Sequence, residues 1–280
     1  MPLKVPSALC CMNETVKYRR GGAFLEREKR REREWNENQL EGRNAVLEVL
    51  RSGRDIEKIM VQKGNVEGTI KRIVAQAAEK GVVIQEVSRQ KLDELSQTKN
   101  HQGVIALVSA HDYEEVEDIL AAARAKGEDP FIILLDGITD PHNLGAILRT
   151  AECAGAHGVI IPKRRSVGLN ATVGKTSAGA IEYMPVAKVT NLVKTMEQLK
   201  KEGLWFACAD MGENDHFDTN LKGPIGLVIG SEGEGVSRLV KENCDFTASI
   251  PMYGKISSLN ASVAAALLMY EVVRQRNYSK

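Results

Sequence analysis

At 280 residues, 43% of them hydrophobic and 27% charged, the chain has the composition of a globular protein, with core material for one large domain or two. A net charge of +1 excludes a global field for a polyanionic partner, so any nucleic-acid surface has to be local. No apolar run reaches membrane-spanning length, and the patch from Val5 to Cys11 is too short for a signal-peptide core. The five cysteines (Cys10, Cys11, Cys153, Cys208, Cys244) have no zinc-ligand spacing, so the expectation is a cytoplasmic protein with reduced thiols and no metal.

Residues 1–36 read as a charged tail. Its eight basic side chains between Lys17 and Arg33 are interleaved with Glu26, Glu28, Glu32 and Glu34, and apolar residues are too sparse to bury a face. A disordered or solvated segment is the plain reading; loose attraction to RNA is the functional one. A compact unit follows over 39–110. Asn44 to Leu50 reads as a helix and Ile56 to Gln62 as a strand. Val66 to Lys80 reads as a helix on Ile70, Val74 and Ala77, and Val82 to Val87 as a strand. Gln90 to Leu95 is a short helix and Gly103 to Ser109 an apolar strand. That alternation makes a small α/β sandwich. Asn100-His101-Gln102-Gly103, ahead of the last strand, reads equally as a capped turn and as an RNA-facing loop.

Asp112 to Gly127 reads as an amphipathic helix ending at a glycine, inside a linker region over 111–130. A second domain over 131–276 opens with Phe131-Ile-Ile-Leu-Leu-Asp136, a continuous apolar run of the kind a buried parallel strand needs. Helices are expected over Leu144 to Ala154, Ala171 to Ala178, Leu192 to Glu202, Val236 to Glu242 and Leu259 to Arg274. Strands are expected over Gly158 to Pro162, Tyr183 to Val189, Leu204 to Ala209, Gly226 to Ile229 and Phe246 to Ile250. Such βα alternation implies a parallel sheet covered on both faces. Ligands in that architecture sit beyond the carboxyl ends of the strands. Four polar clusters fall there: Asp136 to Asn143, Lys163-Arg164-Arg165, Gly230 to Gly235 and Met252 to Asn260.

Two nucleotide-binding fingerprints fail. Gly230-x-x-Gly233-x-Gly235 lacks the G-x-G-x-x-G spacing of a dinucleotide site. Gly174-Lys175-Thr176 resembles the end of a phosphate-binding loop, but its upstream glycine would fall at Leu169. Arg149, on the helix after Asp136, reads equally as a surface residue and as a functional one. Asn143 has a plain reading as a helix N-cap. Glu232, between glycines, is either a base or a loop carboxylate.

Three segments carry a family resemblance: Asp136-Gly-x-x-Asp-Pro-His-Asn-Leu-Gly-x-x-x-Arg-Thr-Ala151, Ile229-Gly-Ser-Glu-Gly-Glu-Gly235 and Ile250-Pro-Met-x-Gly-x-x-Ser-Ser-Leu-Asn-x-Ser-Val-Ala264. In that order they resemble the motifs of the SpoU (TrmH-like) RNA ribose 2′-O-methyltransferases of the SPOUT superfamily. Within these, the nearest likeness is to the RlmB type, which methylates a guanosine of large-subunit (23S) ribosomal RNA. Leu40-Glu-Gly-Arg-Asn44 through His101-Gln-Gly103 resembles the substrate-binding domain of that family, an L7Ae/L30e-like sandwich. The resemblance covers about 39–276. It implies S-adenosyl-L-methionine as methyl donor, a deep trefoil knot, a homodimer and a ribosomal RNA substrate, either free or in a pre-ribosomal particle. It implies Gly230, Gly235, Ile250, Met252 and Leu259 at the donor and Arg149 at the ribose or its phosphate. Glu232, Ser258, Asn260 and Asn143 would orient these groups. Arg43, Asn44, His101, Gln102, Lys163, Arg164 and Arg165 form the expected RNA-facing set. A transfer-RNA methyltransferase and a non-catalytic RNA-binding protein that keeps the fold are the rival readings.

Overall fold

The computed structural model describes residues 38–64, 68–212 and 215–278. The expected tail over 1–36 lies outside them, as does the expected start of a helix at Val66.

The first unit is a four-stranded sheet with helices on it. It contains β1 (Gln39–Glu41), α1 (Arg43–Ser52), β2 (Ile56–Gln62), α2 (Thr69–Glu79), β3 (Ile84–Val87), α3 (Arg89–Leu95) and β4 (Val104–Val108). The strand order is β1-β4-β2-β3, with β2 and β3 parallel and the other pairs antiparallel. Helix α1 buries Val46, Leu47, Val49 and Leu50 and α2 buries Ile70, Ile73 and Ala77, each a stripe at helical spacing. Both stripes meet Ile59, Val61, Val104, Ala106 and Val108 on one face of the sheet. Leu92 of α3 closes the other face against Met60 and Ile105. Strand β1 has no sequence signal: three residues, two of them polar, add an edge to β4.

The second unit has six parallel strands. They are β5 (Phe131–Asp136), β6 (Gly158–Pro162), β7 (Val186–Val189), β8 (Trp205–Ala209), β9 (Ile225–Gly230) and β10 (Phe246–Ala248), in the order β10-β8-β9-β5-β6-β7. Its helices are α4 (Val116–Ala125), α5 (Pro141–Cys153), α6 (Ala171–Thr176), α7 (Leu192–Lys201), α8 (Arg238–Glu242) and α9 (Ala261–Tyr278). The apolar run of β5 divides by residue parity, as a strand buried on both faces must. Phe131, Ile133 and Leu135 pack with α5 and α9, while Ile132 and Leu134 pack with α4 and α7. The result is a three-layer α/β/α stack.

Several sequence expectations shift. The strand expected from Tyr183 begins at Val186, because Ala180–Glu182 forms a 3-10 turn. The helix expected from Asp112 begins at Val116, and Ile119 and Leu120 of α4 belong to the core of the parallel sheet. Residues 109–114 are stitched to both units. Ser109 N–H donates to the Asp55 carbonyl (2.9 Å), Ala110 N–H to Leu169 (2.8 Å) and Glu114 N–H to Val186 (2.9 Å). At this junction Glu57 of β2 pairs with Lys188 of β7, both nearly buried. Tyr113 donates its hydroxyl to Glu57 (2.5 Å) and lays its ring 4.8 Å from the Lys188 ammonium.

Helix α9 is anchored from within. Buried Gln275 accepts from Leu221 N–H (2.8 Å) and donates to the Thr219 carbonyl (2.9 Å) and to Glu271 (2.8 Å). His216, in the same loop as Thr219, donates from its backbone N–H and from ring Nδ1 to the Ser249 carbonyl, at 2.8 and 3.0 Å.

Candidate active site

Four neighbouring strands, β10, β8, β9 and β5, release their loops at one edge of the sheet, beside the point where chain order reverses. Such a point is where an open parallel sheet offers a crevice. Two cavities lie there. One, of about 370 Å³, is walled by Ala209, Asp210 and Met211 after β8, by Gly230 to Gly235 after β9, and by Ile250, Met252 and Ser257 to Leu259 after β10. The other, of about 410 Å³, is walled by Asp136 to Asp140, Asn143, Arg165, Ser231 to Gly235 and Ser237. Residues 231–235 face both, as a shared partition.

That partition is held by backbone. Ser231 and Gly235 exchange N–H···O bonds of 3.0 and 3.1 Å, and Gly235 takes a left-handed φ of +67°. At Gly230 a Cβ would stand 2.1 Å from the Gly235 carbonyl carbon and 2.2 Å from Val236 N, so only glycine fits. Asp136, at the end of β5, accepts from Ser237 N–H at 2.8 Å and ties the far end of the loop.

On the partition stands a cluster of three polar side chains from three chain segments. Asn143 Nδ2 donates to Glu232 Oε1 (3.0 Å), Asn260 Nδ2 donates to Asn143 Oδ1 (2.9 Å), and Asn260 also donates to Glu232 Oε1. Asn143 is buried, while Glu232 and Asn260 are exposed. The N-cap reading of Asn143 is corrected. Asp140 caps α5, accepting from His142 N–H at 3.0 Å with Pro141 at the first helical position, which frees Asn143 one turn inside. Gly145 keeps α5 close to α6, where a Cβ would strike Thr176. Thr176 bonds back to Thr172 and Pro141, so the Gly174-Lys175-Thr176 run is part of a helix contact and not a phosphate loop.

The sequence-derived residues sort into four groups. Gly230, Gly235, Ile250, Met252, Leu259 and Ser258 line the first cavity. Asn143, Glu232 and Arg165 line the second, with Asn260 bonded across to the first two. Arg149 stands apart. It lies six residues beyond Asn143 on α5, about 9 Å along the axis and about 240° round it. Its side chain is exposed, with no hydrogen bond or ion pair to any described residue. The basic loop splits: Lys163 lines a cleft at the junction with Tyr113 and Lys188, Arg164 is exposed, and Arg165 faces the second cavity. The fourth group is on the sandwich. Arg43 donates from its backbone and its Nε to Gln102, at 3.2 and 3.1 Å, and Asn44 is exposed at the rim of a cleft with Arg51 and Arg72.

His101 does not face outward as expected. It is 5% exposed, its Nδ1 accepts from Gly103 N–H (3.0 Å), and its Nε2 therefore carries the proton and donates to Asp93 (2.9 Å). Nearby, Glu41 gathers the loop at 96–98. It accepts from Ser96 Oγ (2.7 Å), Gln97 N–H (2.5 Å), Thr98 N–H (3.2 Å), Thr98 Oγ1 and Gln39 Nε2 (2.7 Å). Burial would raise its pKa, but these donors together outweigh burial and bring the carboxyl from 4.5 to about 2. Asp210, on the wall of the first cavity, is a residue the sequence reading missed. It pairs with Lys241 at 2.5 Å, which raises the lysine's pKa. Its position becomes visible only once β8 is known to lie beside β9.

Residues 130–270 match the model of the SpoU rRNA methylase family. The chain belongs to that family. Residues 39–114 of this SpoU chain match a second model, RNA 2′-O ribose methyltransferase substrate binding. The chain is 52% identical over 238 residues to the putative TrmH family tRNA/rRNA methyltransferase YacO of Bacillus subtilis (strain 168), across 84% of this chain and 95% of that protein. It is 48% identical over 238 residues to a putative TrmH family tRNA/rRNA methyltransferase of Staphylococcus saprophyticus, across 85% and 95%. Among solved structures, the SpoU methyltransferase AviRb of Streptomyces viridochromogenes, in complex with AdoMet, shares the fold. Its TM-score is 0.54 and its identity 24%, over 85% of this chain and 89% of that one. An AdoMet-bound rRNA methyltransferase of Sinorhizobium meliloti does likewise, with a TM-score of 0.54 at 22% identity over 86% and 88%. The SpoU match spans α5, the partition and the loop before α9, which are the segments that build both cavities. Among the described residues no helix is long and apolar enough to cross a membrane.

Proposed function

We propose that this chain transfers a methyl group from S-adenosyl-L-methionine to the 2′-hydroxyl of a guanosine ribose in 23S ribosomal RNA. The observation that carries the reading is the pair of cavities on either side of one partition, with Glu232, Asn143 and Asn260 bonded together on it. Direct methyl transfer needs the sulfonium, the methyl carbon and the attacking oxygen nearly in line, so two adjoining recesses suit it. The first cavity takes the donor, whose adenosine fits between Ile250, Leu259 and the main chain at Gly230. The second takes the ribose. The methyl–sulfur bond breaks as the O–CH₃ bond forms, S-adenosyl-L-homocysteine departs with the bonding pair, and the hydroxyl proton passes to water at the mouth of the recess. Glu232, fixed by two amides on one oxygen, orients the ribose with the other.

Arg149 is given the phosphate. An arginine is too basic to serve readily as a proton acceptor, but a guanidinium holds a phosphate and favours a developing alkoxide. The lack of a side-chain partner among the described residues supports that reading, as does the exposed Arg164 next in sequence to Arg165 at the second cavity. A homodimer is part of the proposal. Val263, Leu267 and Tyr270 form an exposed apolar stripe on α9, 47, 45 and 50% exposed, at spacings of one and two helical turns. Helix α5, which carries Arg149, packs against α9. The trefoil knot that the family resemblance implies is part of the same proposal.

The family name favours ribosomal RNA, whereas the relatives' names give transfer and ribosomal RNA together. Mapping of 2′-O-methylation in both RNA pools from a deletion strain tests the choice. One missing guanosine methyl in 23S RNA, restored by the wild-type gene, is expected. A loss confined to transfer RNA would overturn the ribosomal substrate.

A further inference from the structure

The loop between β10 and α9 contributes Met252 and Ser257 to Leu259 to the donor cavity, yet it turns one aromatic ring outward. Tyr253 is 97% exposed, and it has no hydrogen bond or ring contact with any described residue. The chain is poor in aromatics, at 5%, and its other exposed rings lie elsewhere. Trp205 stacks on Phe246, Phe217 lies against His216, Tyr270 is on the α9 stripe, and Tyr183 borders a cleft with His111. Lys255, two residues on, is likewise exposed and without an ion pair among the described residues. An unpacked ring beside an unpaired cation, on a loop that lines the donor cavity through Met252 and reaches the Glu232–Asn143 pair of the second cavity through Asn260, is an arrangement suited to single-stranded nucleic acid.

We infer that Tyr253 is the stacking platform for the base of the nucleotide being methylated. The inference deepens the RNA-methylation reading and rests on it. An A-form helix displays its 2′-hydroxyls in a wide, shallow minor groove, but a recess walled on several sides takes in a ribose more fully when its nucleotide is lifted out of the stack. Unstacking costs a few kcal/mol. The base is attached at C1′, one bond from the carbon that carries the acceptor oxygen. It therefore leaves the second cavity at its rim, and Tyr253 projects from the loop whose Asn260 is bonded to Asn143 and Glu232 there. Stacking on an exposed ring replaces the lost base–base contact and holds the ribose in register. It is tolerant of base identity, so Tyr253 contributes positioning, and choice of guanosine falls to other groups.

The experiment compares wild type with Tyr253→Ala, Tyr253→Phe and Tyr253→Trp. The probes are ribosomal RNA and transfer RNA isolated from a strain lacking the gene. The dissociation constant for each RNA, its KM, the affinity for S-adenosyl-L-methionine and the sedimentation of the protein are measured. Stacking worth 1–3 kcal/mol corresponds to a roughly 5- to 150-fold rise in KM for the RNA in the alanine variant. Donor affinity and sedimentation stay at the wild-type values, phenylalanine restores most of the loss, and RNA quenches fluorescence of the new tryptophan beyond any change in the wild type. Equal losses in the alanine and phenylalanine variants overturn the inference, as does a fall in donor affinity. Dissociation of a dimer in the alanine variant also overturns it and assigns the ring to a subunit contact. Failure of the wild type to bind either RNA overturns the RNA reading and the stacking with it. Wild-type binding with all three variants unchanged overturns the stacking alone.

Discussion

Two carboxylates mark the two ends of the molecule's chemistry. Glu41, in the sandwich, accepts hydrogen bonds on both oxygens from Gln39, Ser96, Gln97 and Thr98. Glu232, on the partition between the cavities, receives Asn143 and Asn260 on a single oxygen. Both gather segments distant in sequence. The first is saturated by its own chain and works as a fastener. The second leaves acceptor capacity at the mouth of a recess, where a ligand can use it. A carboxylate is therefore informative less by its type than by what remains unbonded once the chain has folded.

The contrast breaks most visibly at Arg149, whose side chain has no hydrogen bond or ion pair among the described residues. Arg149→Ala should lower methyl transfer about a hundred- to a thousandfold while leaving donor affinity unchanged, measured by methyl incorporation and equilibrium dialysis. A wild-type rate would remove the arginine from the site. Glu232→Gln keeps the shape and removes the charge. It should reduce turnover about 10- to 100-fold, in line with loss of a charge-assisted hydrogen bond, with little change in melting temperature. Glu41→Gln should do the reverse. It places an amide donor among donors and should cost about 1–3 kcal/mol of stability in denaturant titrations, with turnover at saturating RNA retained. Turnover lost in Glu41→Gln would erase the distinction between the two carboxylates.

Acid sharpens the same comparison. The Glu41 carboxyl has its pKa lowered from 4.5 to about 2 on folding. The unfolded chain thus takes up the proton first, and the stabilisation is complete above pH 4.5 and is lost as pH falls from there toward 2. Melting temperatures between pH 6 and 3 should fall less steeply for Glu41→Gln than for wild type. The smallest effect belongs to His157. Its Nδ1 accepts from Phe131 N–H and its Nε2 donates to Glu128. Burial lowers its pKa, outweighing the opposite pull of Glu128. Its contribution is therefore complete above the ordinary histidine value of about 6.5 and declines as pH drops below it. His157→Gln should flatten the melting curve slightly over that window, and an unchanged slope would assign the loss to other groups.

The parallel sheet was legible because its strands carry uninterrupted apolar runs, Phe131 to Leu135 above all, and such runs admit few alternatives. The first cavity was legible because close backbone packing at Gly230 demands glycine. Other features were hidden for physical reasons. Strand β1 is too short to show periodicity. Asn143 matched a capping preference, although Asp140 followed by Pro141 was the stronger start signal. His101 looked free because a sequence does not record that a loop side chain turns inward to Asp93 and Gly103. Asp210 could not be found from its neighbours, since β8 and β9 are consecutive strands separated by a long loop and only the sheet order brings their ends together.

The partition at 231–235 has one further consequence. Because one short loop walls both cavities, any displacement of it by one ligand alters the free energy of binding the other. Such linkage is reciprocal: by whatever factor bound RNA tightens or loosens the donor, the donor changes RNA affinity by the same factor. Exchange of the spent donor and release of the methylated strand are then two readings of one equilibrium, set by five residues.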